Sequence, residues 1–142
     1  MSEESTESGI VKKFMYLNRK APYGTVYALE SLEVVLIAAA FDQDVSLVFQ
    51  DDGVYQIARG IDTKAIGQKN FSPTYKALGD YDINKIYVDK QSMADRGLTK
   101  EDLLDLKYED EDDDWAEKDS ITFVDKDELA KLMESQDVIL SF

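Results

Sequence analysis

Apolar positions gather into short runs with turn residues on either side, and longer stretches with helical spacing lie between them. Lys13–Asn18 is the first run; the turn-like Arg19–Gly24 follows it, so it reads as a strand. Thr25 is placed to cap a helix running to about Phe41. The first half of that helix is amphipathic, with Glu30 and Glu33 as wet positions. From Val34 to Phe41 it is apolar all round, which predicts burial on most sides. Asp44–Gln50 and Ile83–Asp89 carry β-branched and aromatic residues and read as the second and third strands. Asp51-Asp52-Gly53 marks a turn, with a short helix predicted over Val54–Arg59 and ended by Gly60.

The polar segment Asp62–Asn70 has no clear period and reads as loop. Ser72-Pro73 then opens a helix, because Ser accepts backbone N–H bonds as N-cap and Pro fits the first helical position; Gly79 is the matching stop. A short helix is expected over Ser92–Arg96 up to Gly97, and Thr99 with Asp102 has the spacing of a capping box. Leu104–Tyr108 gives a weak strand signal. Ser120–Val124 gives a clear one, Asp125 and Glu128 cap a helix over Lys126–Ser135, and Val138–Phe142 closes the chain as a buried strand. Strands alternating with helices at this spacing predict an α/β fold, with a mainly parallel sheet of about five strands between two helical layers. Residues 1–11 are polar and read as a flexible lead-in, leaving 12–142 as one domain.

Composition then removes most catalytic chemistry. The 142 residues include no cysteine and no histidine, which leaves no thiolate nucleophile, no persulfide carrier and no Cys- or His-ligated metal. A net charge of −14 argues against binding bare nucleic acid or an anionic membrane. No signal-peptide pattern is visible, and the longest apolar run, Val34–Phe41, is too short to span a bilayer; a cytoplasmic location is expected. Scattered glycines match neither the dinucleotide fingerprint nor the phosphate loop, and no cofactor is expected. Asp51-Asp52, at the end of a strand where α/β sites commonly sit, read as caps of the Gly53 turn, since no His or Cys completes a proton relay. Glu109–Asp114, six acids in a row, lacks the alternating ligands and turn glycine of a calcium loop and reads as solvated. The aromatics Tyr55 and Phe71, at predicted loop–helix edges, are the remaining candidates; with Arg59 and Tyr75 they form a candidate interface.

Several segments, taken in order, resemble the DsrF/TusC family. They are Ala21-Pro22-Tyr23-Gly24-Thr25, Asp51-Asp52-Gly53-Val54-Tyr55-Gln56, Phe71 to Tyr81, Arg96-Gly97-Leu98, and Asp137 to Phe142. The middle segment is more similar to the DsrF branch than to the shorter TusC branch. The resemblance implies a DsrE-like α/β sandwich. It also implies a heterohexamer with DsrE-like and DsrH-like subunits, two copies of each, in which a partner's cysteine relays sulfur as a persulfide. No catalytic residue carries over, because this chain has no cysteine. Two family roles stay open: sulfur oxidation with a DsrC-like acceptor, or 2-thiouridine formation at the tRNA wobble position. A stand-alone module binding a small ligand is the alternative from another class.

Overall fold

A computed structural model describes residues 11–19, 34–39, 41, 43–58, 78–81 and 83–141. Seven strands are present among them: β1 (Lys13–Asn18), β2 (Asp44–Phe49), β3 (Lys85–Asp89), β4 (Lys107–Asp110), β5 (Ala116–Asp119), β6 (Ile121–Val124) and β7 (Val138–Ser141). Five of these form one parallel sheet in the order β6-β3-β2-β1-β7, and β4 and β5 pair only with each other, antiparallel. The chain therefore adds strands outward from β1 to β6, then returns to the far side of β1 with β7. That return makes the β1/β7 boundary the sheet's topological switch point.

The interior strands are near-continuous apolar runs because both of their faces are covered. Tyr16, Leu47, Phe49, Ile86 and Val88 face one core cluster, which Val35, Ala38, Met93 and Leu103 complete. Met15, Leu17 and Val48 face the other, with Val124 and Leu129. The helical residues 34–39 serve the first face, and helix α2 (Lys126–Glu134) serves the second through Leu129. The predicted α/β sandwich with a parallel five-stranded sheet is what the structure has. Each fully buried large apolar side chain, such as Phe49, contributes about 1.5–3 kcal/mol.

Local signals mostly place the helix ends where they were expected. Asp125 accepts a bond from the Glu128 N–H at 2.8 Å, and the Glu128 carboxylate accepts one from the Asp125 N–H at 3.0 Å. The backbone bond from Glu128 holds the Asp125 carboxyl below its ordinary range. The Asp102 carboxylate accepts from the Thr99 N–H at 2.8 Å, opening a 3-10 turn over Lys100–Asp102. Helix α1 (Lys90–Asp95) ends before Gly97, whose φ of +65° is the left-handed conformation glycine tolerates.

Other expectations need correction. The short helix begins at Asp51 and is a 3-10 helix over Asp51–Ile57. Gly79 is not a left-handed stop: it sits in the 3-10 turn Leu78–Tyr81, where an added Cβ would lie 2.6 Å from the Lys107 carbonyl oxygen. Close approach to β4 is what requires glycine there. The proposed opening of that helix, at Ser72-Pro73, lies outside the described residues. Leu104 and Leu106 are core residues ahead of β4 rather than part of it. The polar stretch Ala116–Asp119 is a strand, because it pairs with β4 across the hairpin. Finally, β7 is an edge strand with Ile139 and Leu140 exposed, not a buried one.

Candidate functional site

The end of an α/β sheet where ligands commonly bind is built here from the segments after β1, β2 and β3. Asp51 sits at φ +52°, and its carboxylate meets the Arg19 guanidinium at 3.0 Å. Its backbone N–H donates to Ser92 Oγ at 2.8 Å, and that hydroxyl donates to Asp89 at 2.6 Å. Asp52 pairs with Arg96 at 2.9 Å, while Arg96 also donates to the Ser92 carbonyl at 3.1 Å. Gly53 lies so close to β1 that a Cβ would fall 1.7 Å from the Asn18 carbonyl oxygen.

Every carboxylate in this cluster is already engaged. The Ser92–Asp89 pair has the form of a nucleophile beside a base, yet Ser92 is buried, and Asp89 is the N-cap of α1, accepting from the Ser92 N–H. The cluster is a brace that ties the ends of three strands together. Asp51 and Asp52 were expected to cap the turn; they instead pair with Arg19 and Arg96, drawn from flanking segments.

The opposite character appears along the β1/β7 side. Residues 34–39 lie over β1, and a groove of about 540 Å³ opens between them and the sheet edge. Phe14, Tyr16, Val34, Ala38 and Leu140 line it, with Ile37 and Phe41 at its mouth. Ile37 is 58% exposed and Phe41 72%, and Val11, next to the lining residue Lys12, is 62% exposed. Gln43 fixes this margin with its side chain: Oε1 accepts from the Lys12 N–H at 2.8 Å and Nε2 donates to the Phe41 carbonyl at 2.8 Å. Leu140 shares a face with Tyr16 because the two are register partners in adjacent parallel strands. Burial pushes the Tyr16 phenol above its ordinary pKa, so it stays neutral.

Among the described residues Lys12 is the one charged residue lining this groove, in a chain where 32% of residues are charged. Contiguous exposed apolar surface with charge depleted at its centre is the signature of a protein interface. The all-round apolar run Val34–Phe41 signals it in sequence: Val35 and Ala38 are buried in the core, while Ile37 and Phe41 stay exposed. Among the described residues, nothing buries Ile37 or Phe41.

The candidate interface named from sequence fares differently. Tyr55 is half-buried in the 3-10 helix Asp51–Ile57, between the buried residues Val54 and Gln56. Arg59, Phe71 and Tyr75 lie outside the described residues. Among the described residues no carboxylate cluster is arranged to hold a metal ion, and no helix is long and apolar enough to cross a membrane.

Comparison with known proteins fits this picture. The chain is 56% identical over 135 residues to the intracellular sulfur oxidation protein DsrF of Allochromatium vinosum, covering 95% of this chain and 99% of that one. It is 40% identical over 94 residues to a TusC homologue of Vibrio vulnificus, covering 66% of this chain and 80% of the relative. The crystal structure of the ychN protein from E. coli superposes with a TM-score of 0.69 at 20% identity, covering 93% of this chain and all of that one; this likeness shows the fold alone. The DsrE/DsrF-like family model matches residues 12–142, and the chain belongs to that family.

Proposed function

We propose that this chain is a non-catalytic subunit of a cytoplasmic sulfur relay complex, serving sulfur oxidation as a DsrF-type component. The observation that carries the reading is near-full-length similarity to a protein named for intracellular sulfur oxidation, in a chain with no thiol to carry sulfur itself. The sulfur-carrying cysteine then belongs to a partner. The partners are DsrE-like and DsrH-like subunits in a heterohexamer with two copies of each, and the complex hands sulfur to a DsrC-like acceptor. Residues 12–142 act in it as one unit.

The apolar groove beside β7 supplies the surface such a subunit needs, and the braced polar cluster after β2 offers no free reactive group in its place. The TusC role in tRNA wobble thiolation is the weaker reading. Similarity to a TusC homologue extends over 94 residues, against 135 for DsrF, so part of the chain has no counterpart there.

Reconstitution tests the proposal. Co-expressed with DsrE-like and DsrH-like subunits, the chain should co-elute in one stoichiometric complex. After incubation with a persulfide donor, intact mass should place the added sulfur on a partner and none on this chain. Deleting its gene should abolish oxidation of stored sulfur and leave tRNA wobble thiolation intact. A sulfur adduct on this chain, or loss of thiolation alone, would overturn the reading.

A further inference from the structure

The β4–β5 hairpin carries features that the fold does not use. It hydrogen-bonds to no strand of the main sheet and is tied at its base, where the Ser120 N–H donates to the Leu106 carbonyl at 2.9 Å and Lys107 meets Asp119 at 2.7 Å. In its turn, Lys118 reaches Asp110 at 2.6 Å and Asp113 at 3.0 Å, and the Trp115 N–H donates to the Asp110 carbonyl at 2.8 Å.

On this turn sits the chain's single tryptophan, 60% exposed. Trp115 has φ +62° and follows Asp114 at φ +56°. Two successive left-handed residues favour Asn-Gly, and a bulky side chain there is disfavoured. Trp115 joins neither core cluster. Folding therefore gives no reason for a large aromatic at this position.

The surroundings specify what would cover it. Glu109 and Glu117 are register partners, both exposed, and like charges directly opposite across a hairpin are destabilising. No basic side chain among the described residues pairs with Glu109, Glu111, Asp112, Asp114 or Glu117, whereas Asp110 and Asp113 share Lys118. A metal ion is not the missing cation, since no metal-holding cluster is present among the described residues. A second copy is a poor match, because each copy carries a net charge of −14.

We propose that the hairpin is a docking arm for a different, basic protein. Trp115 enters an apolar socket on that partner, and Lys or Arg residues around the socket neutralise Glu109 and Glu117. Exposed tryptophans are typical interface anchors, Arg also stacks on the indole face, and the unpaired carboxylates speed encounter.

Trp115 is its own reporter. The full chain would be titrated with three synthetic peptides: one alternating Arg with Leu, one alternating Arg with Ser, and one alternating Glu with Leu. The Arg–Leu peptide should shift the tryptophan emission to the blue and bind at least tenfold more tightly than either control. Anisotropy of the labelled peptide should show binding to Trp115→Gly weakened at least tenfold. That variant's melting temperature should hold or rise, since glycine relieves the positive φ. Glu109→Gln with Glu117→Gln should slow association and flatten its salt dependence. Unmoved emission, equal binding of the Arg–Ser peptide, undiminished binding to Trp115→Gly, or a blue shift that grows with protein concentration alone would each overturn the proposal. None of these readouts depends on the sulfur relay assignment.

Discussion

The two outer edges of the parallel sheet are built from opposite materials. Beside β7 lies an apolar groove whose lining holds one charge among the described residues, Lys12, with Ile37 and Phe41 exposed at its mouth. Next to β6 lies the hairpin Lys107–Asp119, with eight carboxylates and two lysines, of which Lys118 already serves two acids. Both are surfaces the fold leaves open, and their physics differs. Burying apolar surface stabilises a contact at any ionic strength, whereas exposed charge acts over about 8 Å at physiological salt and mostly sets encounter rates. A permanent subunit contact therefore fits the β7 side, and a transient one fits the hairpin.

The largest expected effect tests the apolar side. Ile37→Asp together with Phe41→Asp places two charges at the centre of that surface. Truncating an interface anchor costs about 2 kcal/mol or more, so assembly should weaken roughly a thousandfold for the pair. Both side chains are exposed in the lone chain, so its thermal unfolding should stay close to wild type. Sedimentation of the co-expressed complex measures the first effect and calorimetry the second. Unchanged assembly would move the interface elsewhere; a large loss of monomer stability would show that the two residues are core.

Next in size is Gly79→Ala, which separates the hairpin from the body. The new Cβ would stand 2.6 Å from the Lys107 carbonyl oxygen and 3.2 Å from Tyr108 Cβ, so the base of β4 must shift. Overpacking of this kind costs about 1–3 kcal/mol. Assembly through the β7 side should survive, while hydrogen exchange in β4 and β5 should accelerate. If both surfaces failed together, the hairpin and the apolar groove would not be independent elements.

How much of this was legible in sequence depended on the range of the interactions. β1 was bounded correctly because its apolar run and flanking turn are local, and the Asp125–Glu128 cap was legible for the same reason. β5 was missed because Ala116–Asp119 has no apolar alternation; its strand character comes from pairing with β4 and from Lys118 reaching back to Asp110. Gly79 was noticed, but its reason was not, since the crowding atom belongs to Lys107, far along the chain. The apolar run Val34–Phe41 is legible as a segment to be buried on most sides, but sequence does not say which of its side chains the chain itself covers: Val35 and Ala38 are buried, Ile37 and Phe41 are not. Asp51 and Asp52 stood out as a pair, but their partners Arg19 and Arg96 come from other loops.

The smallest expected effect is acidification, and it distinguishes the two edges without any mutation. The Lys118 ammonium holds the Asp110 carboxyl below its ordinary value of 3.8, and Lys107 does the same for Asp119. A carboxyl with a depressed folded-state pKa contributes stability that is fully present above the unfolded value and is lost as pH falls through the folded one. Bonds to Asp110 raise the Lys118 pKa in turn, so that lysine's contribution stays intact until pH rises past its ordinary 10.5. The hairpin pairs should therefore be constant from neutral pH down to the carboxylate range and weaken below about 3.8. These are solvent-exposed pairs, which contribute little, so global unfolding should barely register their loss. Local hydrogen exchange at Asp110, Asp112 and Trp115 should register it, together with a change in Trp115 emission as the turn loosens. Among the described residues the groove lining has no carboxylate to titrate, so exchange at Phe14, Tyr16 and Leu140 should not change until the whole chain unfolds. Protection falling at both edges in step would mean that acid acts on the entire fold, and that the hairpin is not the separately held element its ion pairs describe.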